Sequence, residues 1–244
     1  MPDYSYIGVG QVYLRDINGA GGLLPIGNVS ALNLAVQEEA KELQDYTAAG
    51  GGTRNEVRRV KGVEAKIKLH DLDPANLSLA LYGDATAVAA STATDEAITA
   101  KLGALIPLAH VSPTTVVVTN VGATITYVAN TDYVVKNGGI FIPATGSAIT
   151  DGLALLVDYA YAAQDVVEAL TNAAGEYEMV FDGVNEARSG KAAVVRVHRI
   201  RFGAASSIDL IGDDFAGLEL TGKVLTDTTQ GAGLSRFFKA TLLQ

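Results

Sequence analysis

Apolar and polar side chains alternate with a period of two through much of this chain, the signature of strands with one buried face. Val63, Ala65, Ile67 and Leu69 fall on one parity, and Glu64, Lys66, Lys68 and His70 on the other. A strand here turns one side to a core and the other to polar surroundings. Tyr177, Met179 and Phe181 alternate in the same way with Glu178 and Val180, and Leu218, Leu220 and Val224 with Glu219, Thr221 and Lys223. Such strands are expected to pair across the molecule rather than with sequence neighbours. The run from Ala193 to Phe202 breaks parity, with Val195 and Val197 on one side and Ile200 and Phe202 on the other. A uniform strand would turn its second half inside out, so the pattern predicts a β-bulge near His198 and Arg199.

Helical patterning is scarce. Asp73 followed by Pro74 reads as an N-cap and first turn, after which Leu77, Ala80 and Leu81 line one side until Gly83 ends the helix. A weaker helical segment is expected over Ala163 to Ala169.

The middle of the chain differs in composition. Residues 85–165 begin with an Ala- and Thr-rich flank and continue as short β-branched and aromatic runs. They predict strands at Thr115 to Thr119, Thr124 to Val128, Tyr133 to Val135, Ile140 to Ile142 and Leu153 to Tyr161. Asn137-Gly138-Gly139 supplies the positive φ of a tight hairpin. In the last strand Leu155, Val157, Tyr159 and Tyr161 form the apolar face. The segment reads as an inserted small β-sandwich, which splits the main domain into 1–84 and 166–244.

Charge and cysteine usage narrow the function. With 244 residues, 48% of them hydrophobic and 18% charged, the chain is long and apolar enough for a full core, and long disorder is not expected. No cysteine is present, which excludes disulfides and cysteine-based zinc sites and suits a reducing cytoplasm. Met1 to Gly10 lacks a signal-peptide pattern and no apolar run is long enough to span a membrane, so a soluble protein is expected. A net charge of −9 argues against a surface that grips nucleic acid, which needs clustered Lys and Arg.

Signs of catalysis are weak. His70, His110 and His198 are far apart in sequence and have no metal or acid-base spacing. Gly19-Ala20-Gly21-Gly22 lacks the spacing of a dinucleotide loop, and Ser189-Gly190-Lys191-Ala192 lacks the first glycine and the hydroxyl of a phosphate loop. No catalytic, cofactor or metal residue is assigned, and the chain is read as non-enzymatic. The segment 38–61 is more informative. Glu38, Glu39, Glu42 and Asp45 climb one limb of a hairpin, Gly50, Gly51 and Gly52 form its tip, and Arg54, Arg58, Arg59 and Lys61 descend the other limb. Either this is a solvated hairpin with cross-strand ion pairs, each worth under about 1 kcal/mol, or an arm that sets its charges against neighbouring subunits.

The stretch GNVSALNLAVQEEAKELQDY with its glycine-tipped arm, then VEAKIKLHDLDPANLSLALYG, then GEYEMVFDG, AVVRVHRIRFG, GLELTGKVLTD and SRFFKATLL together resemble bacteriophage major tail tube proteins. The insert is similar to modules inside some tail tube proteins, through Asp132-Tyr133, Gly139, Asp151-Gly152-Leu153 and Val157-Asp158-Tyr159-Ala160-Tyr161. The resemblance implies a mainly β fold: a tail-tube-type β-sandwich or barrel with one short helix, a long hairpin arm and an outward-facing inserted subdomain. It implies a structural virion protein whose homohexameric rings stack into a hollow tube that passes double-stranded DNA during ejection, assembled in the bacterial cytoplasm. Implied partners are further copies of itself, a tape measure protein, and tail terminator or tip proteins. The hairpin arm then makes the inter-ring and inter-subunit contacts. An inner tube of a contractile tail or of a tail-derived injection particle shares this physics. A different class, a carbohydrate-binding β-sandwich, would use Tyr127, Tyr133, Tyr159 and Tyr161 as stacking platforms.

Overall fold

Nearly every regular element is a strand in the computed structural model, which describes residues 4–47 and 49–244. Met1 to Asp3, the start of the segment read for a signal peptide, and Ala48 lie outside the described residues. The order begins β1 (Gly8–Asp16), β2 (Leu24–Pro25), β3 (Val29–Gln44), β4 (Thr53–Leu69) and helix α1 (Pro74–Leu81). It continues β5 (Asp84–Val88), β6 (Ser91–Thr99), β7 (Ala104–Pro107), β8 (Thr114–Asn120), β9 (Thr126–Tyr127), β10 (Val134–Lys136), β11 (Gly139–Ile142), β12 (Ala154–Tyr161) and β13 (Gln164–Glu168). It ends β14 (Tyr177–Asn185), a 3-10 turn at Glu186–Arg188, β15 (Lys191–Phe202), β16 (Leu218–Val224) and β17 (Phe238–Leu242). The fold class is mainly β.

The chain divides into two units, one joining the part up to Ala85 with Val167–Gln244 and the other comprising Thr86–Val166. Each boundary falls one residue beyond the one expected from composition.

In the first unit an antiparallel sheet runs β2-β1-β14-β15-β16-β4-β3, with β17 also on β15. β15 divides one edge between two partners: β17 takes Ala193 to Val197 and β16 takes Ile200 to Phe202. The alternation of β4 and β16 appears as expected, with Val63, Ala65, Ile67, Leu69, Leu218, Leu220 and Val224 all buried. The parity break in β15 is a bulge at the expected place. Tyr177 pairs with Ile200 but Met179 with Val197, so His198 and Arg199 fill the space of one residue. Val197, Ile200 and Phe202 therefore all reach the same core, and each such burial contributes about 1.5–3 kcal/mol.

Helix α1 starts where Asp73 accepts from Asn76 N at 2.7 Å, with Pro74 in the first turn. This cap contributes about 1 kcal/mol. Ala80 is buried and Leu77 and Leu79 pack against the core, so Leu79 takes the place expected for Leu81. The end of the helix also differs from expectation. Tyr82, not Gly83, adopts the left-handed conformation (φ +50), and its hydroxyl donates to Phe202 O at 2.6 Å. Gly83 is needed for close approach, because a Cβ there would lie 2.4 Å from Glu168 O. The helix expected over Ala163 to Ala169 is instead strand β13, paired with β5. Its Val166-Val167 pair is β-branched, and so short a segment lacks the length that helix formation in water requires.

The second unit contains a three-stranded sheet, β10-β11-β7, and a four-stranded sheet, β6-β12-β8-β9. Both contribute to one core that includes Val118, Ile140, Ile142, Leu155 and Val157. The motif aspartates clamp turns: Asp132 accepts from Ala148 N and Val128 N, Asp151 from Leu102 N and Asp158 from Asp95 N. Gly139 has φ +147 where β10 turns into β11, and a Cβ there would lie 2.1 Å from Ile106 O.

Candidate functional site

The predicted site residues lie on the hairpin formed by β3 and β4. Its inner part belongs to the sheet, with Val63 to Leu69 of β4 paired to β16. From Gln37 outward, the two strands pair only with each other among the described residues, and residues 35–44 and 53–61 are all exposed. The hairpin thus leaves the sheet as a two-stranded arm with solvent on both faces.

At the tip Gly50, Gly51 and Gly52 have φ of +115, +64 and +141. A Cβ at any of them would meet nothing within 4 Å, so it is the backbone conformation that calls for glycine. Asp45 N donates to Gly52 O at 2.6 Å and closes the turn. The Asp45 carboxylate accepts from Thr47 Oγ1 at 2.6 Å and Thr47 N at 2.8 Å, and these bonds, the hydroxyl's first, hold its pKa below the usual value.

Two bulges set the faces of the arm. Gln37 pairs with Gly62 but Glu38 with Val60, and Leu43 pairs with Asn55 but Gln44 with Thr53, so Lys61 and Arg54 are the extra residues. Between them the pairs Glu38↔Val60, Ala40↔Arg58 and Glu42↔Glu56 share one face, and Glu39↔Arg59, Lys41↔Val57 and Leu43↔Asn55 share the other. The charges are therefore sorted by face as well as by limb. One face sets Glu38, Glu42 and Glu56 around Arg58, while the other sets Lys41 and Arg59 against Glu39. Cross-strand ion pairs, expected for a solvated hairpin, do not form among the described residues. The salt bridge of the arm joins Arg58 to Glu56 within β4. That hydrogen bond, with Glu38 and Glu42 adding through space, raises the pKa of Arg58.

A second charged group covers the polar side of the body sheet. Glu178 and Glu176 are buried although their strand alternation places them away from the apolar core. Arg15 and Arg196 both donate to Glu178, and Arg199 and Arg201 both donate to Glu176. The Arg199 bond, at 2.6 Å, is the leading cause that lowers the Glu176 pKa. The arginine guanidiniums roof the two carboxylates, which explains burial on a polar face. The bulge places Arg199 and Arg201 on Glu176.

Two sheet edges remain open on the described residues. β2 covers Tyr13 and Leu14 of β1, with Ile26 N also donating to Val12 O at 3.0 Å, and β3 pairs with β4 alone among the described residues. The free edges of β1 and β3 flank a cleft of about 1230 Å³ lined by Val9, Val12, Leu32, Leu34, Phe181 and Val195.

The remaining candidates occupy structural positions. His70 lies 2.8 Å from Ser30 Oγ and 3.2 Å from Ala216 O, while His110 stacks on Tyr161 at 3.6 Å in the other unit. Ser189 and Gly190, both at positive φ, form the turn before β15. Tyr127, Tyr133 and Tyr159 are buried and so offer no stacking platform for a sugar. Burial, followed by the hydrogen bond to Glu96, pushes the Tyr159 pKa up to about 12.

A search of curated proteins found no match to the chain. A family model, described as protein of unknown function UCP028589, matches residues 5–241. The match runs through most of the chain, and the chain belongs to this family.

Proposed function

We propose that this protein is a structural subunit that closes into homohexameric rings, and that the rings stack into the hollow tail tube of a bacteriophage. The observation that carries this reading is the arm. A two-stranded hairpin is marginal in water by itself, yet this one extends with both faces exposed and without a cross-strand ion pair among the described residues. Its charge complement is left for another molecule. The open edges of β1 and β3 add a second demand of the same kind, since unpaired strands seek partners and closure around a ring satisfies them.

In this reading double-stranded DNA passes through the bore without specific binding. The net charge of −9 and the engagement of Arg15, Arg196, Arg199 and Arg201 by Glu176 and Glu178 both favour weak retention of phosphate. The subunit acts without enzymatic chemistry, assembles in the host cytoplasm and resides in the virion. Its further partners are a tape measure protein and the terminator or tip proteins that end a tube. An inner tube of a contractile tail or injection particle uses the same contacts.

Negative-stain electron microscopy of the purified protein tests the proposal. Six-fold rings or hollow tubes are expected, and deletion of Gly50 to Gly52 is expected to abolish stacking while leaving the circular dichroism spectrum unchanged. A protein that stays monomeric at high concentration, with or without seeds, would overturn it.

A further inference from the structure

The connection between β7 and β8, residues 108–113, has no regular structure, yet each backbone donor from Leu108 to Ser112 finds an acceptor. Leu108 N donates to Gly138 O at 3.2 Å and Ser112 N to Asn137 O at 2.6 Å. The three between them go to side chains: Ala109 N to Glu96 Oε1 at 2.9 Å, His110 N to the Tyr159 hydroxyl at 3.3 Å and Val111 N to Gln164 Oε1 at 3.2 Å. The order of this loop therefore depends on side chains of β6, β12 and β13.

Val111 settles which way the Gln164 amide points. A backbone N–H only donates, so the amide atom it meets is the oxygen, and the amide nitrogen faces His110 Nδ1 at 2.7 Å. That nitrogen donates and has no lone pair to offer. Nδ1 must accept, which places the proton of a neutral ring on Nε2. A second proton, on Nδ1, would set donor against donor, and turning the amide would only move the conflict to Val111 N. The other two histidines have partners that tolerate a proton. His70 lies against Ser30 Oγ and Ala216 O, both able to accept, and His198 lines a pocket with the Asp227 carboxylate.

The remaining neighbours of the His110 ring hold it in either state. Tyr161 stacks on it with ring centres 3.6 Å apart and planes at 14°, and an aromatic face attracts a cation as well. Tyr159 is tilted against it at 6.3 Å. Burial, then the 2.6 Å bond to Glu96, pushes the Tyr159 pKa up to about 12, so its hydroxyl stays protonated. Glu96 is the charged group of the cluster, and its two oxygens serve Ala109 N and the Tyr159 hydroxyl. It draws positive charge toward the loop but is already bonded away from Nδ1. Gln164 is the weak point.

We propose that His110 and Gln164 form an acid-sensitive clasp. A proton on Nδ1 expels the Gln164 amide while the ring stays on Tyr161. Val111 N loses its acceptor in the same step, and residues 108–113 come free of the start of β13. The clasp lies within Thr86–Val166 and needs no second copy, so it stands or falls apart from the self-assembly reading.

Hydrogen–deuterium exchange of the full-length protein, corrected for the intrinsic pH dependence of amide exchange, tests the clasp. Protection is compared at about pH 7.5 and about pH 5.5, which lie on either side of the ordinary histidine value of about 6.5 and above the ordinary carboxylate values. Residues 108–113 are expected to lose protection several-fold at the lower pH, relative to the buried Leu155 and Val157 of β12. Gln164→Glu offers oxygens to both Val111 N and a protonated Nδ1, so its response should be flat or reversed. His110→Phe keeps a stacking ring without an acceptor and should be poorly protected at both values. Wild-type protection that does not change overturns the clasp, and this arm needs no variant to fold. A Gln164→Glu protein that loses protection as steeply as wild type overturns it too, as does a His110→Phe protein as protected as wild type at about pH 7.5.

Discussion

Glu39 stands directly opposite Arg59 in the arm, and the two form no ion pair. Their charges contribute little to the isolated subunit. Reversing either one should change stability by less than about 0.5 kcal/mol, and the double-mutant cycle between them should show coupling near zero. Urea denaturation at low protein concentration measures both. In the self-assembly reading the same reversals weaken association at low salt, which sedimentation velocity detects.

Glu178 is the more sensitive position. Its side chain is 3% exposed and serves both Arg15 and Arg196. Glu178→Ala leaves both guanidiniums without their partner and should cost about 1–3 kcal/mol. Arg196→Ala should cost less than about 1 kcal/mol, because that side chain reaches solvent and Arg15 still serves the carboxylate. Comparison of the two urea midpoints tests the asymmetry.

Glu176 makes stability depend on pH in a defined direction. Its pKa is lowered in the folded state, chiefly by the Arg199 hydrogen bond, so the unfolded chain binds a proton more readily. The stabilisation is complete above the ordinary glutamate pKa of about 4.3 and is lost as pH falls through the depressed folded value. Wild type should therefore lose more stability than Glu176→Gln between about pH 5 and pH 3. Equal losses in paired denaturation curves would contradict this role.

Gly83→Ala should be among the costlier glycine changes. The added methyl group would lie 2.4 Å from Glu168 O, a backbone atom that cannot rotate away. Overpacking of this kind costs about 1–3 kcal/mol. Gly212→Ala, which meets nothing within 4 Å, should be near neutral, and their thermal midpoints should separate accordingly.

The sequence was most readable where burial alone decides the pattern. β4 and β16 face one core and one polar side, so their period of two survives intact. The bulge in β15 was readable because its parity conflict had only one resolution. β6 was not: Asp95 at φ +55 and a register shift against β12 break its alternation, and an Ala- and Thr-rich run gives little contrast. Glu176 and Glu178 resembled a solvent face because the arginines that bury them come from β1 and β15, distant in sequence. The faces of the arm depended on bulges at Lys61 and Arg54 that composition does not mark.

The pairing of β1 with β14 has a consequence for biosynthesis. Gly8 to Asp16 must wait for Tyr177 to Asn185 before their ladder can form, whereas the strands of Thr86–Val166 find their partners within that segment. On the ribosome the insert can finish first, while β1 remains unpaired with β14 until Tyr177 to Asn185 have been made. Chaperone demand should therefore fall on Gly8 to Asp16, and a nascent chain halted after the insert should already resist protease within Thr86–Val166.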